Sequence, residues 1–331
     1  MQTRKLGRAG IEVSVLGFGC GAVGGLMVRG SPADQERAVA RALDFGVTYF
    51  DTAAMYGNGE SERNLGRVLK SLKPELTLGT KVRVAAAERR QIGAAVAASL
   101  EASLRRLQRE QVDLFQLHNH ITLDGGEADL SPQVVLGEVV PAFERLREQG
   151  KTRFCGITAV GDTAALHQVV DAKAFDTAQV SYNLLNPSAG ATVAAGFPAH
   201  DFGNLLARAQ AASMGVIAIR VLAAGALSGV DSRHPLGSPS VEPIGSGRDY
   251  RVDIERARRL EPLVREGFAD SLVEAAIRFV IANDAVSTAL VGYSTIEQLE
   301  YAVAAVEKGP LPTAALERLK TLHNSFVGET R

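Results

Sequence analysis

Eight times along this chain a short apolar or β-branched run gives way to a helix-patterned segment, and that alternation limits the possible folds more than any other feature. The strand candidates are 15–20, 47–51, 76–81, 112–118, 153–157, 177–180, 216–220 and 286–291, rich in the residue types that suit a pleated, covered surface. Between and after them, apolar residues recur at three- and four-residue spacing over 34–45, 62–71, 89–107, 134–149, 162–172, 204–213, 272–282 and 295–307, the period of a helix with one buried face. Ser31-Pro32 before Asp34 reads as a cap with proline at the first helical position, and Gly46 and Gly150 stand where left-handed helix ends are expected. Repeated strand-helix-strand units require a parallel sheet, and runs such as Val216-Ile217-Ala218-Ile219 suit one covered on both faces.

A doubly wound sheet and a (β/α)8 barrel both meet these conditions. No composition break divides the 331 residues, and length favours the barrel, for which ~250 residues is typical before insertions. The expected architecture is α/β: a single-domain (β/α)8 TIM barrel over 1–331, with an extra helix after Pro312. Long loops at 186–200 and 228–248 follow strands, which places them at the C-terminal face as candidate lids.

Charge and cysteine content narrow the function. With 36 basic and 37 acidic residues the net charge is -1, so no global field would hold the chain on nucleic acid or an anionic membrane. No run approaches the ~18 apolar residues of a membrane span, and the first ten residues lack the pattern of a signal peptide; a cytoplasmic protein is expected. Cys20 and Cys155 lie far apart in apolar runs, form no metal-binding spacing and are expected as buried free thiols.

Gly19-Cys20-Gly21-Ala22-Val23-Gly24 fits the dinucleotide motif G-x-G-x-x-G, with Asp51 as its acidic partner. That motif needs its glycines to open a helix directly. Here residues 25–30 intervene before the cap at Ser31, and Asp51 falls 32 positions after Gly19, late for a ~30-residue βαβ unit. A glycine-rich turn after the first strand accounts for the segment better.

Three successive strand candidates end in ionisable residues: Asp51, Lys81 and His118. Neighbouring strands lie ~4.8 Å apart, so in a parallel barrel these side chains converge over one mouth. Tyr56, five residues past Asp51, can fold back over it. Such a group suits proton delivery by a phenol. A lysine ammonium in contact favours phenolate and is expected to lower the tyrosine pKa, Asp51 would keep Lys81 charged and aimed, and His118 could hydrogen-bond a carbonyl oxygen. Singly, each residue has a plain structural use, such as a rim ion pair for Asp51 and Lys81. Their coincidence at consecutive strand ends is what points to catalysis.

Asp51-Thr52-Ala53-Ala54-Met55-Tyr56-Gly57 with Gly59-Glu60-Ser61-Glu62 resembles the D-T-A-x-x-Y-G…G-x-S-E segment of the aldo-keto reductase superfamily, and Gly79-Thr80-Lys81 and Gln116-Leu117-His118 resemble its next two signatures. The resemblance runs from Arg4 to Glu300. It implies a TIM barrel that binds NADP(H) or NAD(H) without a Rossmann domain or metal and moves hydride between nicotinamide and an aldehyde, ketone or alcohol. It also implies Tyr56 as general acid/base, Asp51 and Lys81 as its tuners and His118 as the orienting group.

For the cofactor, Gly156-Ile157-Thr158-Ala159 and Gln179-Val180-Ser181-Tyr182-Asn183 resemble the family's carboxamide-binding segments, which leaves hydrogen-bonding roles to Thr158 and Gln179 but none to Ala159. Ile219 replaces the family's nicotinamide-stacking aromatic residue. Arg220, just before the turn containing Gly225, is expected on a cofactor phosphate or an anionic part of the substrate, with a rim salt bridge as the plainer alternative. Gly292, Ser294 and Gln298 mark the adenosine end, where Ser294 or Thr295 caps a helix. Gly292 and Gln298 replace cations common in NADP-preferring members, so use of NADH is open. For substrate, Met55, Asn119 and His120 are the candidates, the last two making the pocket polar enough for a sugar or other polyhydroxylated carbonyl compound. An NAD-dependent aldose or polyol dehydrogenase and a nicotinamide-binding regulatory barrel without turnover remain alternatives.

Overall fold

The structure is a computed structural model that describes residues 1–245 and 247–329. Ser246, in the expected 228–248 loop, and the last two positions of the 1–331 span lie outside the described residues. The chain opens with β1 (Thr3–Lys5) and β2 (Glu12–Ser14), an antiparallel hairpin. There follow β3 (Leu16–Gly19), β4 (Tyr49–Asp51), β5 (Thr77–Val82), β6 (Val112–Leu117), β7 (Thr152–Ala159), β8 (Thr177–Ser181), β9 (Gly215–Ile219) and β10 (Val286–Gly292). These eight close a barrel in the order β10-β3-β4-β5-β6-β7-β8-β9, every neighbouring pair parallel.

The helices are α1 (Leu26–Arg29), α2 (Pro32–Asp44), α3 (Glu60–Leu72), α4 (Ile92–Leu107), α5 (Pro132–Val134), α6 (Val140–Glu148), α7 (Thr163–Asp171), α8 (Leu205–Ala211), α9 (Tyr250–Arg258), α10 (Pro262–Arg265), α11 (Leu272–Ile281), α12 (Ile296–Glu307) and α13 (Thr313–Asn324). Ser31 caps α2 as expected, its hydroxyl accepting from Asp34 N at 3.1 Å. The helix expected over 134–149 is broken: a π turn at Val135–Val139 separates α5 from α6, because Pro141 in the first turn of α6 has no N–H to continue the regular ladder.

Two cores result. The larger lies between sheet and helices and contains Cys20 and Cys155 as buried free thiols. The smaller fills the barrel, where Leu6 and Val13 of the hairpin region meet Tyr49, Leu114 and Ile217. Residues before the first barrel strand thus plug the end of the barrel opposite the strand C-termini.

The loop expected as a lid at 186–200 is anchored. Asn186 Nδ2 and Ser188 Oγ both donate to His200 O at 2.8 and 2.9 Å, closing its base, and Phe197 packs against His323 and Phe326 near the C-terminus. From the expected 228–248 loop, residues 236–238 reach over as a strap to the segment after β3: Ser238 N donates to Val23 O, Ser238 Oγ to Ala22 O, and Arg29 Nε to Leu236 O. Gly25, at φ +86°, lets the strap in, since a Cβ there would sit 1.7 Å from Leu236 O. Within the apparent dinucleotide motif Gly24 likewise serves close backbone approach, a Cβ there falling 2.5 Å from Tyr293 N. Among the described residues no helix is long and apolar enough to cross a membrane, and no His/Cys/Asp/Glu group could hold a metal ion.

Candidate active site

β4 is only three residues long and ends at Asp51, in register with Gly19 and Gly79 on either side. Gly79 is what gives Asp51 its room: a Cβ there would come 2.8 Å from Tyr49 Oη and 3.1 Å from Asp51 Oδ2. Asp51 is fully buried, and both carboxylate oxygens are engaged. Oδ1 accepts from Lys81 Nζ, while Oδ2 accepts from Tyr49 Oη at 2.8 Å, Gln179 Nε2 at 2.8 Å and Gln116 Nε2 at 3.0 Å. Buried charge is tolerated only when paired and bonded in this way.

Lys81 is equally buried and also donates to Thr52 O at 2.8 Å. Its third contact is Tyr56 Oη at 3.5 Å. Burial pulls the ammonium down, but Asp51 and Tyr56 more than offset this and hold its pKa above the ordinary lysine value. Tyr56 is delivered by consecutive turns after β4: its N–H donates to Ala53 O, and its carbonyl accepts from Ser61 N at the start of α3. The second half of the motif fixes that helix. Ser61 Oγ donates to Cys20 O, and fully buried Glu62 takes Thr80 Oγ1 and Arg106 Nε.

The acidity expected of Tyr56 is reversed in sign. Burial raises its pKa by more than Lys81 lowers it, because the ammonium gives its closer contacts to Asp51 and Thr52. Tyr56 is therefore a protonated phenol near neutrality. His118, whose N–H donates to Val82 O at 2.7 Å, stands edge-on to Tyr56 with ring centroids 6.0 Å apart. Burial, then Lys81, Arg83, Arg220 and His120, press its pKa down to about 3, so the imidazole is neutral, and its buried Nδ1 has no hydrogen-bond partner.

The substrate candidates fare differently. Asn119 is not a pocket residue: its side chain accepts from Val84 N and donates to Val84 O and Ala128 O, which spends the whole amide on backbone. His120 is exposed beside His118, and Met55 is 48% exposed on the Tyr56 loop. On the cofactor side Thr158 Oγ1 and Gln179 Oε1 lie 3.5 Å apart on neighbouring strands. Gly225, at φ +102°, backs onto Tyr250 Oη and Arg233, beside a cleft of about 340 Å³ between Asp231, Arg233, Pro239, Ser240, Val241 and Tyr250. Thr295 is the cap of α12, accepting from Gln298 N; Ser294 Oγ donates to Gly24 O, and Gln298 Oε1 accepts from Ser294 N. Gly292 and Gln298 are exposed.

Tyr49 and Gln116 are participants that motif reading passes over. A signal existed: each is a polar-tipped residue at an inward position two before Asp51 or His118.

A family model described as "Aldo/keto reductase family" matches residues 15–324. L-galactose dehydrogenase of Arabidopsis thaliana is 28% identical over 315 residues, covering 92% of this chain and 88% of that protein. L-glyceraldehyde 3-phosphate reductase of Escherichia coli is 26% identical over 349 residues, covering 96% and 91%. Among solved structures, an aldo/keto reductase from Klebsiella pneumoniae in complex with NADP and acetate superposes with a TM-score of 0.69 at 23% identity, covering 98% of this chain and 96% of that one. Since the family match takes in all eight barrel strands and every candidate catalytic position, the chain belongs to the aldo/keto reductase family.

Proposed function

We propose that this mouth interconverts a carbonyl compound and its alcohol using NAD(H) or NADP(H), with Tyr56 as the general acid/base. The observation that carries the reading is Lys81, buried between Asp51 and the Tyr56 hydroxyl. When bound, the nicotinamide ring gives or takes the hydride at the carbonyl carbon. Tyr56 supplies the proton to the carbonyl oxygen on reduction and receives it on oxidation. Lys81 favours the phenolate that remains, and Asp51 keeps the ammonium in place. Neutral His118 donates one N–H to the carbonyl oxygen and fixes the face presented.

The residues on hand fit a nicotinamide nucleotide. The Gln179 carbonyl oxygen and the Thr158 hydroxyl can take the two ends of a carboxamide. Gly292 leaves its surroundings open, a Cβ there meeting Gly19 O only at 3.5 Å, and α12 presents its N-terminus beside it. Gln298 there carries no charge, and Glu297 in the first turn of α12 holds its carboxylate below the usual range through its own N–H and the Thr295 hydroxyl. An anion already on that turn favours NAD(H) over a 2′-phosphorylated nucleotide. With the name of the Arabidopsis relative, this supports an NAD-dependent sugar dehydrogenase as the second reading.

Tyr56→Phe tests the mechanism. Turnover with an aldehyde panel is expected to fall at least ~100-fold, the low end for general acid–base catalysis, with cofactor affinity little changed by fluorescence titration. Unaltered turnover would remove Tyr56 from the chemistry.

A further inference from the structure

Two more cations stand at this mouth. Arg83 follows the end of β5, and the backbone on either side of it is fixed: Val82 O accepts from His118 N, and Val84 is bonded at both N and O by Asn119. The parallel register Lys81↔Gln116 and Val82↔Leu117 continues to set Arg83 beside His118. Arg220 comes from β9, four strands from β5 in a barrel of eight and so on the opposite side. It adopts φ +60°, followed by Ala223 at +47° and Ala224 at +57°. Left-handed backbone costs an L-residue roughly 1–2 kcal/mol, and such strain collects at functional sites. Asn183 Nδ2 holds the Arg220 carbonyl at 3.1 Å.

Some arginines of this chain end on a carboxylate, as Arg41 does on Glu300, Arg106 on Glu62, Arg153 on Asp113 and Arg278 on Glu274. Among the described residues the Arg83 and Arg220 guanidinium groups have neither a hydrogen bond nor an ion pair. Exposed Glu242, in the loop that carries the strap, attracts Arg220 but stays outside ion-pair distance. Both guanidinium groups act electrostatically on His118, and Arg220 also on Tyr56. Their fields meet at His118, one of the two groups that would face a carbonyl.

We infer that Arg83 and Arg220 clamp an anionic group of the substrate, a carboxylate or phosphate carried a few atoms from the carbonyl that Tyr56 and His118 address. The inference rests on the proposed oxidoreductase reading and names its substrate class. Guanidinium groups bind both oxyanions through paired N–H donors. A group that engages both sides of the barrel must lie between β5 and β9, over the reacting carbon, whereas a phosphate on the β9 and β10 loops would leave Arg83 unused. The anion itself is unchanged in the reaction: one hydride and one proton add to the carbonyl, giving a hydroxy acid or hydroxyalkyl phosphate.

The test uses matched substrates at saturating cofactor, glyceraldehyde against glyceraldehyde 3-phosphate and glucose against glucuronate. The anionic member of at least one pair is expected to have the higher kcat/KM, and which pair shows it separates phosphate from carboxylate. Arg83→Met should cut the anionic-to-neutral ratio by about tenfold to a hundredfold, the value of a charge-assisted hydrogen bond, and Arg83→Lys should retain part of it. On the unaltered enzyme, raising ionic strength to about 1 M, where screening acts within about 3 Å, should raise KM for the anionic member selectively. A ratio that Arg83→Met leaves within threefold overturns the inference. So does an Arg220→Met variant that weakens cofactor binding while leaving the ratio alone, since that assigns Arg220 to the cofactor. Turnover of neutral aldehydes with no anionic preference removes the clamp and leaves the oxidoreductase reading standing; no turnover of either member of either pair removes both.

Discussion

Asp51 and His118 stand two strands apart and face the same space, yet Asp51 accepts four hydrogen bonds and the buried Nδ1 of His118 has none. The contrast extends outward from each. Around Asp51 the donors Tyr49, Gln116, Gln179 and Lys81 are all buried and all spend an N–H or O–H on its carboxylate, the Gln116 carbonyl oxygen alone being left without a partner. Around His118 the cations Arg83 and Arg220 are uncommitted. Groups that must hold one geometry through a reaction gain from saturation, because a half-satisfied buried network is costly and mobile. Groups that await a ligand must keep bonding capacity in reserve. The lower part of this site is built like a core and the rim like a receptor.

The sharpest way to break the saturated part is Lys81→Met, which leaves Asp51 buried with three neutral donors and no counter-charge. A loss of about 3–5 kcal/mol in urea unfolding is expected, together with loss of turnover. A change below about 1 kcal/mol would show that the protein neutralises Asp51 by other means. Tyr49→Phe is gentler, keeping the ring in the barrel core and removing one donor from Asp51 Oδ2. Since hydrogen bonds to charged groups contribute roughly 1.5–3 kcal/mol, a loss in that range is expected, and no loss would mean that Gln116 and Gln179 suffice.

What could be read from sequence divides along the same line. The eight strands, the identity of the mouth and the convergence of Asp51, Lys81 and His118 follow from periodicity and parallel-strand geometry, because strand ends and alternation are local properties. Who bonds to whom is not local. Gln116 and Gln179 sit 65 and 128 residues from Asp51, and Asn119 looked like a pocket residue until its amide was found on Val84 and Ala128. The sign of the Tyr56 shift turned on burial against a Lys81 contact of 3.5 Å, a balance that spacing alone cannot weigh. The hairpin plug went unrecognised because three-residue strands carry little periodicity.

At the cofactor end the comparison can be sharpened by adding a charge where none stands. Gln298→Arg should move selectivity toward NADPH by about tenfold, the low end of one charge-assisted contact to a 2′-phosphate, measured as the ratio of kcat/KM for the two nucleotides. No shift would place the adenosine elsewhere than the start of α12.

The smallest expected effect is a flat line. With the His118 pKa pressed down to about 3 by burial, Lys81, Arg83 and Arg220, kcat/KM, which reports the free enzyme, should show no histidine inflection between pH 5 and 8. The same shift gives stability a definite sign. Unfolded histidine titrates near 6.5, so between that value and about 3 the unfolded chain binds more protons than the native one, and stability must fall as pH falls through this window. His323, half-buried and held near 4, adds to the same slope but lies near the C-terminus, so His323→Gln should flatten part of the stability curve and leave kcat/KM as it was. An inflection near 6.5 in kcat/KM would show instead that His118 titrates freely, and that the cations of the rim do not press on it as their placement requires.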